Sequence, residues 1–196
     1  MKKILFILFI FPFFASAQSD ANKILCLNQT ISLSTNDTAS IHHWYKVVNG
    51  TAQLQASTDK VYTEIPTAPG YYNYQVVAEN KAGCISPVSD VVKIYILPAL
   101  TPTVTTPNAL ICSAPATSFV LTASVPDGFT YTYQWTKNGT PISGATASTY
   151  TANGGTAPGT ITYGINVAYS LNPSCTVSAT KIITVAPELT KPIIGQ

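Results

Sequence analysis

Two tryptophans stand at one fixed distance ahead of two cysteines: Trp44 to Cys84 and Trp135 to Cys175 are each 40 positions apart. The same short text surrounds each tryptophan, IHHWYKVVNGT in the first case and YTYQWTKNGT in the second. Farther along, Ala68-Pro69-Gly70 recurs as Ala157-Pro158-Gly159, and Leu97-Pro98-Ala99-Leu100 recurs as Ala186-Pro187-Glu188-Leu189. Self-similarity at about 90 residues sets the unit of folding before any other feature is read. It divides the chain into a unit at 18–98, a unit at 99–187, and a segment 188–196 whose Lys191-Pro192-Ile193-Ile194-Gly195-Gln196 corresponds to Pro102-Thr103-Val104-Thr105 and which reads as a linker with the start of a third repeat, a short disordered tail being the alternative.

Within each unit the apolar period is two. Phe119, Leu121 and Ala123 alternate with Val120, Thr122 and Ser124, and Tyr131, Tyr133 and Trp135 alternate with Thr132, Gln134 and Thr136. Ile161, Tyr163, Ile165 and Val167 do the same, as do Tyr72, Tyr74, Val76 and Ala78 in the first unit. Successive strand residues point to opposite faces, so each run offers one apolar face to a core. Asn49-Gly50 and Asn138-Gly139 are type I′ hairpin signals, since that turn needs positive φ at both central residues. The fold class is therefore all-β: two tandem β-sandwiches, each of a length that suits roughly 90–100 residues.

What precedes them is a targeting segment. Lys2 and Lys3, the apolar run Ile4 to Phe14 and the small residues Ala15-Ser16-Ala17 form a secretory signal peptide at 1–17. The run is shorter than the roughly 20 residues of a membrane helix, so membrane insertion is not expected. After its removal 8 lysines face 8 acidic residues and there is no arginine, which excludes the basic stripe of a nucleic-acid binder. Export into an oxidising compartment makes an even cysteine count read as disulfides.

The residues Tyr133-Gln134-Trp135-Thr136-Lys137-Asn138-Gly139, then Ile142-Ser143-Gly144-Ala145-Thr146 and Thr149-Tyr150-Thr151, resemble the immunoglobulin-like or PKD-like repeats of secreted and cell-surface proteins of Bacteroidota-type bacteria. Gly70-Tyr71-Tyr72-Asn73-Tyr74 adds to the resemblance, which spans the chain after the signal peptide. It implies that Trp44 and Trp135 are the core tryptophans of strand C, and that Tyr72 holds a tyrosine corner. At the B and F positions, where antibody-type domains carry a disulfide, this chain has Leu33 with Tyr74 and Leu121 with Tyr163. The resemblance also makes Asp37-Thr38-Ala39 similar to a short O-glycosylation motif, with Thr38 as acceptor.

The four cysteines are Cys26, Cys84, Cys112 and Cys175. Equivalent placement in the two units points to Cys26–Cys84 and Cys112–Cys175, one staple per module, each contributing about 4 kcal/mol in the chain-entropy model. A bridge between modules is the competing pairing, which spacing leaves open.

No reaction centre is legible. His42 and His43 are strand neighbours pointing to opposite faces, with no acidic residue beside them in sequence, so no metal is expected. Eight scattered carboxylates supply no calcium cage, and no nucleophile has a base at hand. No cofactor is expected, and the chain is read as not an enzyme. The expected role is that of a secreted or cell-surface spacer and adhesion unit whose partner is a protein or glycan at the cell surface. Two alternatives stand beside it: an accessory region of a secreted glycosidase or protease whose catalytic domain lies beyond Gln196, and a small carbohydrate-binding protein. For a glycan, Tyr71, Tyr150 and Tyr169 are the residues expected to face outward.

Overall fold

The computed structural model describes residues 20–113, 118–154, 157–189 and 192. The segment expected to be a signal peptide, 1–17, and residues 190–191 and 193–196 of the expected third-repeat start lie outside the described residues. Every regular element among the described residues is a strand. No helix there is long and apolar enough to cross a membrane.

The first module is built from β1 (Lys23–Leu25), β2 (Ile31–Ser34), β3 (Ile41–Val48), β4 (Thr51–Leu54), β5 (Val61–Glu64), β6 (Gly70–Glu79) and β7 (Val92–Ile96). One sheet runs in the order β1-β7-β6-β3-β4, and β2 pairs with β5 in the other. The second module repeats the plan with β8 (Thr103–Thr105), β9 (Leu110–Cys112), β10 (Ser118–Ser124), β11 (Tyr131–Lys137), β12 (Thr140–Pro141), β13 (Thr149–Asn153), β14 (Gly159–Tyr169) and β15 (Asn172–Ala186). Its sheets run β12-β11-β14-β15-β9 and β13-β10-β8. In both modules a short strand, β1 or β9, lies parallel to the last strand, β7 or β15; that last strand pairs with the strand before it, β6 or β14, which in turn pairs with the tryptophan strand, β3 or β11. That is the arrangement of an immunoglobulin-like sandwich, and the chain holds two in tandem.

Local chemistry explains the hairpins. Asn49 and Gly50 have φ of 50° and 77°, and Asn138 and Gly139 have 50° and 83°, the left-handed pair that a type I′ turn requires. Asn138 adds a side-chain acceptor for the Thr162 N–H at 2.9 Å, tying the turn to the neighbouring strand.

Each core contains a row of three aromatic rings. Trp44 stacks on Tyr62 and Tyr62 on Tyr74, at centroid distances of 5.6 and 5.4 Å. Trp135, Tyr150 and Tyr163 repeat the row at 6.0 and 6.1 Å. Both indole N–H groups donate to a carbonyl of the strand 4–5 connection or its counterpart, Asp59 at 2.8 Å and Ala147 at 2.9 Å. A buried Trp needs such a partner for its single donor. Leu121 and Tyr163, at the positions of an antibody disulfide, are both buried in the second core. Tyr72 donates its hydroxyl to the Ala68 carbonyl at 3.1 Å, closing a corner at the start of β6.

The disulfide pairing corrects the expectation of one staple per module. Cys26 is bonded to Cys175, while Cys84 and Cys112 are free and exposed. The reason lies in strand direction. Cys26 follows β1, whose last residue Leu25 pairs with Ile96, and Ile96 in turn pairs with Gly70 at the start of β6. Cys84 lies past the other end of β6, in a turn held by Asn80 N–H to the Cys84 carbonyl at 3.0 Å. Ten strand residues span about 30 Å, whereas bridged Cα atoms lie within about 7 Å. In the second module Cys112 pairs with Ala186 at the far end of β15 from Cys175, so that pair is equally out of reach.

Candidate functional site: the junction between the modules

Once the cysteines of a module sit at opposite poles, the place where one module's lower pole meets the next module's upper pole becomes the distinctive site. The connection Leu97 to Pro102 is not a free linker. Leu97 and Leu100 are buried members of the second module's core cluster, and Ile24, Cys26 and Tyr95 from the first module pack against that cluster. The Cys26–Cys175 bond crosses the joint with a Cα–Cα distance of 5.4 Å. Two hydrogen bonds flank it, from Asn172 Nδ2 to the Ile24 carbonyl at 2.8 Å and from the Tyr169 hydroxyl to the Pro98 carbonyl at 3.1 Å. A small cavity of about 360 Å³ runs along the joint beside Cys26, Leu100 and Cys175.

Of the three tyrosines expected to face outward, the structure buries one and half-buries another. Tyr169 is only 1% exposed, packed against Phe129 and Tyr131 beneath the joint. The strand period already places it inward, since it continues the parity of Tyr163, Ile165 and Val167. Tyr150 is half-buried as the middle ring of the second aromatic row. Tyr71 alone is exposed, and its hydroxyl donates to Asp20 Oδ1 at 2.6 Å while its ring meets Tyr95 edge-on. Burial and this acidic neighbour push the Tyr71 hydroxyl up to about 12. Trp44 and Trp135 are both buried.

The two histidines point apart, and each meets a carboxylate, one five residues back in the chain and the other 36 residues on. His42 Nε2 lies 3.0 Å from Asp37 Oδ1 under the core edge, and His43 Nε2 lies 2.7 Å from Glu79 Oε2 on the other face. Among the described residues no three His, Cys, Asp or Glu side chains converge on a point. Asp37 also accepts the Ala39 N–H at 2.8 Å, and this bond, against some burial and with help from His42, holds its carboxyl down to about 2. The resulting turn presents Thr38 to solvent.

Sequence reading missed a third cluster, around Glu64. Its Oε2 accepts the hydroxyls of Tyr62 at 2.9 Å and Tyr74 at 2.7 Å, and Oε1 is paired with Lys46. Burial works to raise this carboxyl, but Lys46, Tyr74 and Tyr62 outweigh it and hold it below the usual range. Burial beside that carboxylate in turn pushes Tyr62 up to about 12. The available signal was strand parity, which puts Glu64 on the face of Tyr62. Next to this cluster an open cleft of about 650 Å³ runs between Leu33, Val76 and the 86–90 loop. Trp44 and Tyr74 line it but expose almost no surface, so they offer no ring face for stacking.

No family model matches the chain, and no curated protein matches it. Among solved structures it is similar to the fibronectin(III)-like modules of Clostridium thermocellum CbhA, at 16% identity over 89% of this chain and 96% of that one, with a TM-score of 0.43. Three N-terminal domains of the bacteriophage RB49 Highly Immunogenic Outer Capsid protein match at 18% identity over 83% of this chain and 56% of that one, TM-score 0.41. The N-terminal four Ig domains of Dscam1 isoform 4.44 match at 16% over 86% and 44%, TM-score 0.36. The strand order, rather than these likenesses, carries the fold assignment.

Proposed function

We infer that the chain is an exported, non-catalytic spacer of the cell surface, two immunoglobulin-like modules locked into one stiff unit that holds binding surfaces away from the cell. The observation that carries this reading is the joint: a disulfide, two hydrogen bonds and a connection whose leucines belong to the next core. Interdomain contacts within a chain usually permit relative motion, and a covalent, apolar joint opposes it. The disulfide fits an oxidising compartment, in keeping with the signal sequence of residues 1–17. Adhesion to a surface protein or glycan, and kinship with Bacteroidota-type or PKD-like repeats, belong to the same proposal.

Small-angle X-ray scattering of residues 18–196 tests it. The oxidised chain is expected to scatter as a single conformer, and a Cys26→Ser variant as a broader set of module orientations. Scattering from freely reorienting modules in the oxidised chain would overturn the spacer reading.

A further inference from the structure

The joint uses one cysteine of each kind and leaves the other of each kind exposed, Cys84 at the far pole of the first module and Cys112 at the far pole of the second. Leu25 pairs with Ile96 in the first module, and Ile111 pairs with Val185 in the second. In that common register Cys112 occupies the place of Cys26, the lower-pole cysteine that the joint consumes. Cys84 corresponds to Cys175 through the shared 40-residue spacing from the tryptophans, and it lies at the upper pole of the first module.

The apolar neighbours follow the same correspondence. Ile24 and Leu100 pack into the joint, and their counterparts at the lower pole of the second module, Leu110 and Leu189, are 65% and 92% exposed. At the upper pole of the first module, Ile85 and Val88 are exposed beside Cys84. Each end therefore presents a thiol with uncovered apolar side chains, one end of the type that the joint takes from above and the other of the type it takes from below.

We propose that Cys112 of one chain and Cys84 of a second copy form a disulfide that repeats the Cys26–Cys175 joint between molecules, so that copies link head to tail. The occupant is a second copy because one chain carries both complementary halves. A heterologous contact of this kind closes into a ring or extends as a filament. The oxidant is a disulfide RSSR of the exporting compartment. The Cys112 thiolate attacks it, releasing RSH and leaving a mixed disulfide, and the Cys84 thiolate of the next copy then displaces the second RSH. Overall, two thiols and RSSR become one protein disulfide and two RSH, with the two electrons passing to RSSR. The inference rests on the geometry of the joint, and its loss leaves the stiff two-module unit intact.

The test is oxidation of residues 18–196 with glutathione disulfide, followed by non-reducing electrophoresis and mass spectrometry of linked peptides. A ladder of multiples of the monomer is expected, with Cys84–Cys112 as its link. Cys84→Ser alone and Cys112→Ser alone should each abolish the ladder, while an equimolar mixture of the two should stop at dimers. Both variants keep Cys26–Cys175, so loss of the ladder cannot come from a broken joint. Persistent monomer with both thiols free, links of Cys84–Cys84 or Cys112–Cys112, or Cys112 bonded within its own chain would each overturn the proposal.

Discussion

The two modules place the same aromatic row between the same strands, yet they finish their cores in opposite ways. In the first, Ile31 stands opposite Glu64 across β2 and β5, and the carboxylate takes both tyrosine hydroxyls and Lys46. In the second, the paired positions are Phe119 and Ala152, and the Phe119 ring meets Tyr163 edge-on at 5.8 Å. A small residue and a large one fill the space that a medium residue and a charge fill in the first module. All the ion pairs among the described residues lie in the first module, and the larger apolar cluster is in the second. One strand plan can therefore be closed by packing or by a satisfied polar network, and the two closures respond differently to the same perturbation.

Cutting the clamp should separate the modules most completely. The Cys26–Cys175 bond spans 149 residues, a loop worth about 5 kcal/mol in the chain-entropy model. Cys26→Ser is expected to turn coupled unfolding into two calorimetric transitions, the lower one from the first module. In the second module Trp135→Ala should cost about 3–5 kcal/mol by denaturant titration. The polar closure is tested by Glu64→Ala, which copies the second module's Ala152 without its Phe119. It strands two hydroxyls and a lysine, and a loss of about 2–3 kcal/mol is expected from the charged hydrogen bonds.

Acid should sharpen the contrast. The carboxyls of Asp37 and Glu64 are both held below their ordinary values in the folded chain. Their stabilisation is complete above the unfolded values and is lost as pH falls through the folded ones, from about 4.5 toward 2. A Trp135→Phe variant leaves Trp44 as the only indole, and its fluorescence should report loss of the first module in that window. Hydrogen exchange of β11 and β14 should stay protected there. The smallest effect serves as a control: Gly50→Ala and Gly139→Ala each force a left-handed turn position onto an L residue, costing about 1–2 kcal/mol in either module.

Repeat, period and turn chemistry made the architecture legible, because strand parity and Asn-Gly pairs are local signals. The tryptophan positions were legible for the same reason. Tyr169 was misassigned although its parity with Val167 already pointed inward. The cysteine pairing failed for a different cause: equal spacing identifies equivalent positions but says nothing of which pole of the sandwich each occupies. Only the parallel course of β1 beside β7, with β6 running back between Gly70 and Glu79, puts Cys26 and Cys84 at opposite ends. The carboxylate partners of His42 and His43 were hidden too, since Glu79 reaches His43 across 36 residues through strand pairing.

The most direct test of the clamp is a disulfide map of the single-chain species, with free thiols alkylated before digestion. A Cys26–Cys175 linked peptide with alkylated Cys84 and Cys112 is the expected result. Linked peptides Cys26–Cys84 and Cys112–Cys175 would contradict it and return each module its own staple.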